Sequence, residues 1–177
     1  KPILDSLGID KNKPEKQQRN QTGSPILEEG DILLNTTLAE TNDWQQVDLP
    51  VVRTLRHFCI ETLSSYTEDN QACISEVDLL DDKGQPIDKT KWEVVYISSE
   101  QADKNLGVAE NLFDGDISSF WHTDPATEPG QPHRIIVDIK EIYKISALRF
   151  KVRKGAFLSG KVKEINVYGR PQFFLFH

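Results

Sequence analysis

From residue 31 onward the apolar residues fall into short runs separated by turn residues, a spacing that predicts strands. The expected strands are 31–34, 44–49, 54–63, 72–80, 92–97, 133–139, 144–152 and 161–168, rich in β-branched and aromatic residues. Breakers such as Asp82-Lys83-Gly84-Gln85-Pro86 divide them, and Glu141-Ile142-Tyr143 reads as a short connection between two of them. In Leu148-Arg149-Phe150-Lys151-Val152-Arg153 every second residue is apolar, so one face of that strand is core and the other wet. No amphipathic helix intervenes, and the pattern therefore predicts an all-β, antiparallel sandwich.

The first thirty residues differ. Lys11–Arg19 is polar, charged and aperiodic, and Asn20-Gln21-Thr22-Gly23-Ser24-Pro25 adds turn residues, so residues 1–30 read as a linker or tail and residues 31–177 as one domain. Across the chain, 21 Lys and Arg against 28 Asp and Glu give a formal net charge of −7, which repels nucleic-acid phosphates and anionic lipid at long range. No apolar run approaches the roughly 20 residues needed to span a bilayer, and the N-terminus has no signal-like apolar stretch. Cys59 and Cys73 lie on expected strands joined by a modest loop, a spacing that admits either a cross-strand disulfide or two free buried thiols.

Chemistry concentrates in Ala109–Thr123, AENLFDGDISSFWHT. Asp114-Gly115-Asp116 reads as a tight turn whose carboxylates can bond nearby amides or a cation, and Trp121-His122-Thr123 follows on an apolar wall. Trp121 and Trp92 read as core, and His133 as a residue that caps or orients a loop. No GxSxG, P-loop, dinucleotide fingerprint, HExxH or zinc spacing occurs, and two carboxylates on one tight turn do not straddle a sugar ring as hydrolysis requires. The reading is noncatalytic.

The ordered set Ala109, Asp114-Gly115-Asp116, Ser119, Trp121-His122-Thr123, Pro132-His133, Arg153 and Gly160 resembles the discoidin, or coagulation-factor type C, domains of galactose-binding-like jelly-roll fold. Within them it is most similar to bacterial family 32 carbohydrate-binding modules. Arg56–Leu79 resembles the closing strand pair of these modules. It precedes the DGD turn instead of following it, which implies circular permutation over the alternative of two truncated modules.

The resemblance implies a structural calcium site. It would comprise the carbonyl of Asn111, the Asp114 side chain, the carbonyl of Asp116, Ser119, and the Ser75-Glu76 pair of the closing strand, oxygen donors of the kind calcium takes. It also implies a shallow glycan site for galactose-type or related sugars built on His122 and Arg153. Ser159 stands where the family has Asn, Phe157 is the candidate aromatic platform with Tyr66 second, and Glu100 is a hydroxyl acceptor. The module would be joined to other domains of a glycan-active enzyme or surface protein, in an extracellular, periplasmic or cell-surface setting. Two other readings remain at this stage. One is a protein- or membrane-docking domain using Phe173-Phe174-Leu175-Phe176 as an apolar spike; the other is a scaffold module with a degenerate sugar site.

Overall fold

Two long strands organise the domain. The computed structural model describes residues 23–126, 130–153 and 160–177. Among them β1 (Ile32–Thr37), β2 (Gln45–Thr62), β3 (Cys73–Ile74), β4 (Glu76–Asp81), β5 (Glu93–Ile97), β6 (Trp121–His122), β7 (His133–Lys151) and β8 (Glu164–Arg170) follow in chain order. Short 3-10 turns lie at Glu29–Asp31, Asp103–Asn105 and Ala109–Phe113. β2 and β7 run antiparallel from Gln45↔Phe150 to Thr62↔His133, with register shifts between Asp48 and Arg53 and between Leu55 and His57.

These irregularities let each long strand serve two halves of the sheet. The first part of β7 carries β5 on its free side, as in Val94↔Val137, whereas its second part carries β4, as in Leu79↔Leu148. β8 pairs with residues 57–62 of β2, and β1 pairs with β8. Strands that bend from one layer into the next make the corners of a sandwich. One apolar cluster unites Phe58, Ile60, Val137 and Ile165 from one half with Val77, Leu79, Leu148 and Phe150 from the other. Each fully buried side chain of this size contributes roughly 1.5–3 kcal/mol. The fold is an all-β sandwich with antiparallel strands.

The sequence reading is corrected at both bends. Residues 141–143 are not a connection but part of β7, where Lys140 adopts φ +74° just before them. Likewise 44–49 and 54–63 are one strand, β2. Of the residues resembling a closing strand pair, those in β2 and β4 pair with β7 in the six-stranded sheet that also holds β8, while β3 pairs with β6 in a second, two-stranded sheet. Residues just before 31 pair with the C-terminal tail. Ser24 and His177 exchange backbone hydrogen bonds, and the Ile26 amide donates to the Leu175 carbonyl.

The outer face of the β1-β8-β2-β7-β5 half is also covered. Cys59, Ile136 and Tyr168 form a second apolar cluster with Phe174 from the C-terminal tail, joined by Leu27, Ile32 and Tyr96. Phe173 stacks on His57 with ring centroids 4.4 Å apart, and the Arg56 guanidinium lies over the Phe173 ring at 4.8 Å. The aromatic tail therefore docks on its own sheet through Phe174, while Phe173, Leu175 and Phe176 keep exposed surface. Phe174→Ala is expected to destabilise the domain by about 3 kcal/mol in denaturant unfolding, the lower end for deleting a buried phenyl ring, because the satellite cluster can partly collapse.

Both cysteines are free and buried, on different sheets: Cys59 in β2 and Cys73 in β3. Burial pushes the Cys73 thiol up to about 12 and raises Cys59 as well. Trp121 is fully buried, its indole N–H donating to the Ser99 carbonyl at 3.0 Å. Trp92 packs edge-on against Phe58 at 5.4 Å and against Phe113 at 5.6 Å, which ties the core to the turn that follows Phe113.

Candidate functional site

The Asp114-Gly115-Asp116 turn is built by local bonds. Gly115 takes φ +79°, a conformation glycine adopts without strain, and the Asp116 amide donates to Asp114 Oδ1 at 2.9 Å. Asp116 Oδ1 accepts from the Ser118 amide and hydroxyl, so its carboxylate is engaged by the turn itself. Its carbonyl instead accepts from Ser119 Oγ at 3.0 Å, and the same hydroxyl donates to Asp114 Oδ2. The Asn111 amide group donates to the carbonyls of Asn105 and Phe120 at 3.2 and 3.0 Å, which fixes the backbone entering the turn.

Glu76, on β4, reaches this turn from across the fold. Its Oε2 accepts the Gly115 amide at 3.0 Å, while Oε1 is buried without a hydrogen-bond partner. Burial pushes the Glu76 carboxyl up to about 7; the Lys89 ammonium pulls it down, and the charge of Asp114 adds to the rise. Ser75 beside it is buried, its amide donating to the Lys151 carbonyl at 2.8 Å. Among the described residues no three His, Cys, Asp or Glu side chains converge as a metal site. A cation here would rest on Asp114, Glu76 and the hydroxyl and carbonyl oxygens of Ser119, Asp116 and Asn111. An orphaned buried carboxylate oxygen beside that oxygen-rich turn fits a hard divalent cation such as calcium. A cleft of about 450 Å³ lined by Lys89, Thr90, Trp92, Glu110, Phe113, Asp114 and Gly115 opens beside it.

A second constellation surrounds His122. β6 pairs with β3 through Cys73↔His122, and the backbone of His122 is clamped on its other side by Gln101 and Gly107. A Cβ on Gly107 would sit 2.8 Å from His122 Cβ, so this close approach requires glycine. His122 Nδ1 lies 2.5 Å from the Thr123 carbonyl, which only accepts, so the proton of that bond is on Nδ1. The Arg153 guanidinium stacks on Phe120 at 4.0 Å, and Phe120 meets the His122 ring at 6.3 Å. The positive charge of Arg153 also acts on Cys73, the cross-strand partner of His122, and opposes the burial that raises its thiol. The structure thus brings His122 and Arg153 together.

The remaining sequence candidates fare differently. Glu100 accepts the Ala109 amide at 3.2 Å and so braces the loop beside His122. Tyr66 is tied down, its hydroxyl donating to the Leu38 carbonyl at 2.7 Å with Lys163 over its ring at 5.5 Å, so it is a brace and not an open platform. Phe157 and Ser159 lie outside the described residues. Sequence reasoning missed Asp69, whose negative charge acts on both His122 and Cys73. The signal was present in the turn-rich Thr67-Glu68-Asp69-Asn70, where Asp69 Oδ1 accepts from the Thr67 hydroxyl at 2.8 Å and Asn70 takes φ +55°.

Burial lowers the pKa of His57, His122 and His133 below the usual imidazole value of 6.5. His133 Nε2 is held at 2.6 Å from the Asn70 carbonyl, the loop-orienting role read from the sequence. A folded-state pKa below the unfolded one means that the unfolded chain binds more protons between the two values. Stability from these groups is therefore complete above about 6.5 and is lost as pH falls toward and through the depressed values. Proton NMR titration should show these three imidazoles, unlike an exposed histidine, titrating below pH 6.5.

The sandwich thus carries an oxygen-rich turn and a His–Arg pair. Residues 95–172 match the family model of the F5/8 type C domain, so this segment is of the discoidin type. Over 84 residues the chain is 32% identical to a sialidase of Micromonospora viridifaciens; the match covers 46% of this chain and 13% of that protein. The aligned portion is thus a small part of a much longer relative.

Proposed function

We propose that this domain is a noncatalytic carbohydrate-binding module, recognising galactose-type or related sugars and stabilised by calcium at the Asp114 turn. The observation that carries the reading is the convergence of Arg153 and His122 around Phe120 and Cys73, on a sandwich whose F5/8 type C segment spans both residues. Arg153 would supply charged, forked donors to vicinal hydroxyls, with the buried His122 ring beside it shaping the site. Calcium would be held by Asp114 and Glu76 with Ser119 and the carbonyls of Asn111 and Asp116. When bound, it supplies charge neutralisation that locks the turn leading to Trp121-His122-Thr123.

The domain would act as one part of a longer glycan-directed protein, in keeping with the small fraction of the sialidase relative that it matches. Of the aromatic tail that a docking role would use, Phe174 is buried against Cys59, Ile136 and Tyr168, whereas Phe173, Leu175 and Phe176 are exposed. The test is a glycan array probed with the full chain in calcium. Signal concentrated on terminal galactose or closely related sugars is the expected result; absence of signal on every glycan at high protein concentration overturns the reading and favours a scaffold module.

A further inference from the structure

The calcium reading leaves one cation unexplained. Lys89 follows β4 on a loop folded back against it, with the Ile87 amide donating to the Leu79 carbonyl at 3.0 Å. Asp88 Oδ1 accepts from both the amide and the hydroxyl of Thr90, which pins the loop around Lys89. From that stem the Lys89 ammonium donates to Glu76 Oε2, to Asp78 Oδ1 at 2.6 Å and to the Val77 carbonyl at 3.1 Å. All three charged side chains are substantially buried: 17% of the Lys89 side chain is exposed, 15% of Asp78 and 2% of Glu76.

We propose that Lys89 is a tethered cation that competes with calcium for Glu76. Two neighbouring, largely buried carboxylates are costly without countercharge, and the ammonium supplies it in the metal-free domain. A divalent ion at the Asp114 turn needs the same Glu76 carboxylate, whose Oε1 is buried and orphaned. An ammonium already seated on that carboxylate repels the incoming ion and must give up its contact. Lys89 thereby sets the calcium affinity and keeps the turn's distal anchor in place when calcium is absent. The inference rests on the calcium reading of the turn and goes beyond it by assigning an opposing role to a residue outside the ligand set.

The experiment titrates CaCl2 into the chelator-stripped full chain by calorimetry, comparing the parent with Lys89→Met and Lys89→Arg. Opposing two cations across one carboxylate is expected to tighten calcium binding by about tenfold in Lys89→Met, within the usual range of coupling between sites, whereas Lys89→Arg stays near the parent. The metal-free melting temperature of Lys89→Met should fall, and calcium should restore it. In the parent, a protected Lys89 ammonium NMR signal should be present without metal and weaken as CaCl2 is added, a readout that requires no variant to fold. Equal or weaker calcium binding by Lys89→Met, or an ammonium signal unchanged at calcium saturation, overturns the competition while leaving the calcium site intact. If neither the parent nor Lys89→Met binds calcium, the calcium reading itself falls and the competition with it.

Discussion

Arg153→Ala is expected to abolish glycan binding while leaving the melting temperature within about 2 °C of the parent, as for a partly exposed side chain outside the core. Arg153 rests on the face of Phe120, so its truncation removes the charged donors of the site without opening the interior. A shallow sugar site with few polar contacts binds near roughly the millimolar range, about 4 kcal/mol in all, so loss of the principal donor leaves nothing measurable. The check is sugar-dependent chemical-shift change, which should vanish in the variant. His122→Ala is a poorer test, because His122 is only 3% exposed and its removal also leaves a cavity.

Asp114→Ala should remove the rise in melting temperature that calcium gives the parent. A ligand that binds only the folded state stabilises it by about 4 kcal/mol at a free concentration a thousandfold above its dissociation constant, and Asp114 is the carboxylate of the turn itself. Ser119 Oγ and the Asp116 amide both use Asp114, so the metal-free variant should also lose some order at the turn, visible as faster amide exchange from Gly115 to Ser119. Differential scanning calorimetry of parent and variant, each with and without calcium, measures the effect. An equal calcium response in both would remove Asp114 from the site.

The sandwich and its two clusters of chemistry were legible because they are local. Period-two alternation marks Leu148–Val152, and the DGD turn and Trp121-His122-Thr123 carry their residues within one short stretch. What escaped the sequence depends on long-range geometry. β2 and β7 read as four strands because a strand that crosses from one layer to the other breaks its alternation at the bend, around Asp48–Arg53 and Asp138–Tyr143. Phe174 read as part of an exposed spike because the sheet face that buries it is assembled from Cys59, Ile136 and Tyr168, far away in sequence. Tyr66 looked like a platform because nothing local reveals that the Leu38 carbonyl captures its hydroxyl. Lys89 was silent for the same reason: its partners Glu76 and Asp78 become neighbours only once the loop folds back on β4.

The central claim, a glycan site on the His122–Arg153 surface, is tested most directly by NMR titration of the isotopically labelled full chain with galactose and related monosaccharides. The account predicts saturable shifts centred on Cys73, Phe120, His122 and Arg153, with dissociation constants near roughly the millimolar range. Absence of saturable shifts across the sugar panel, or shifts confined to residues away from these four, would contradict it.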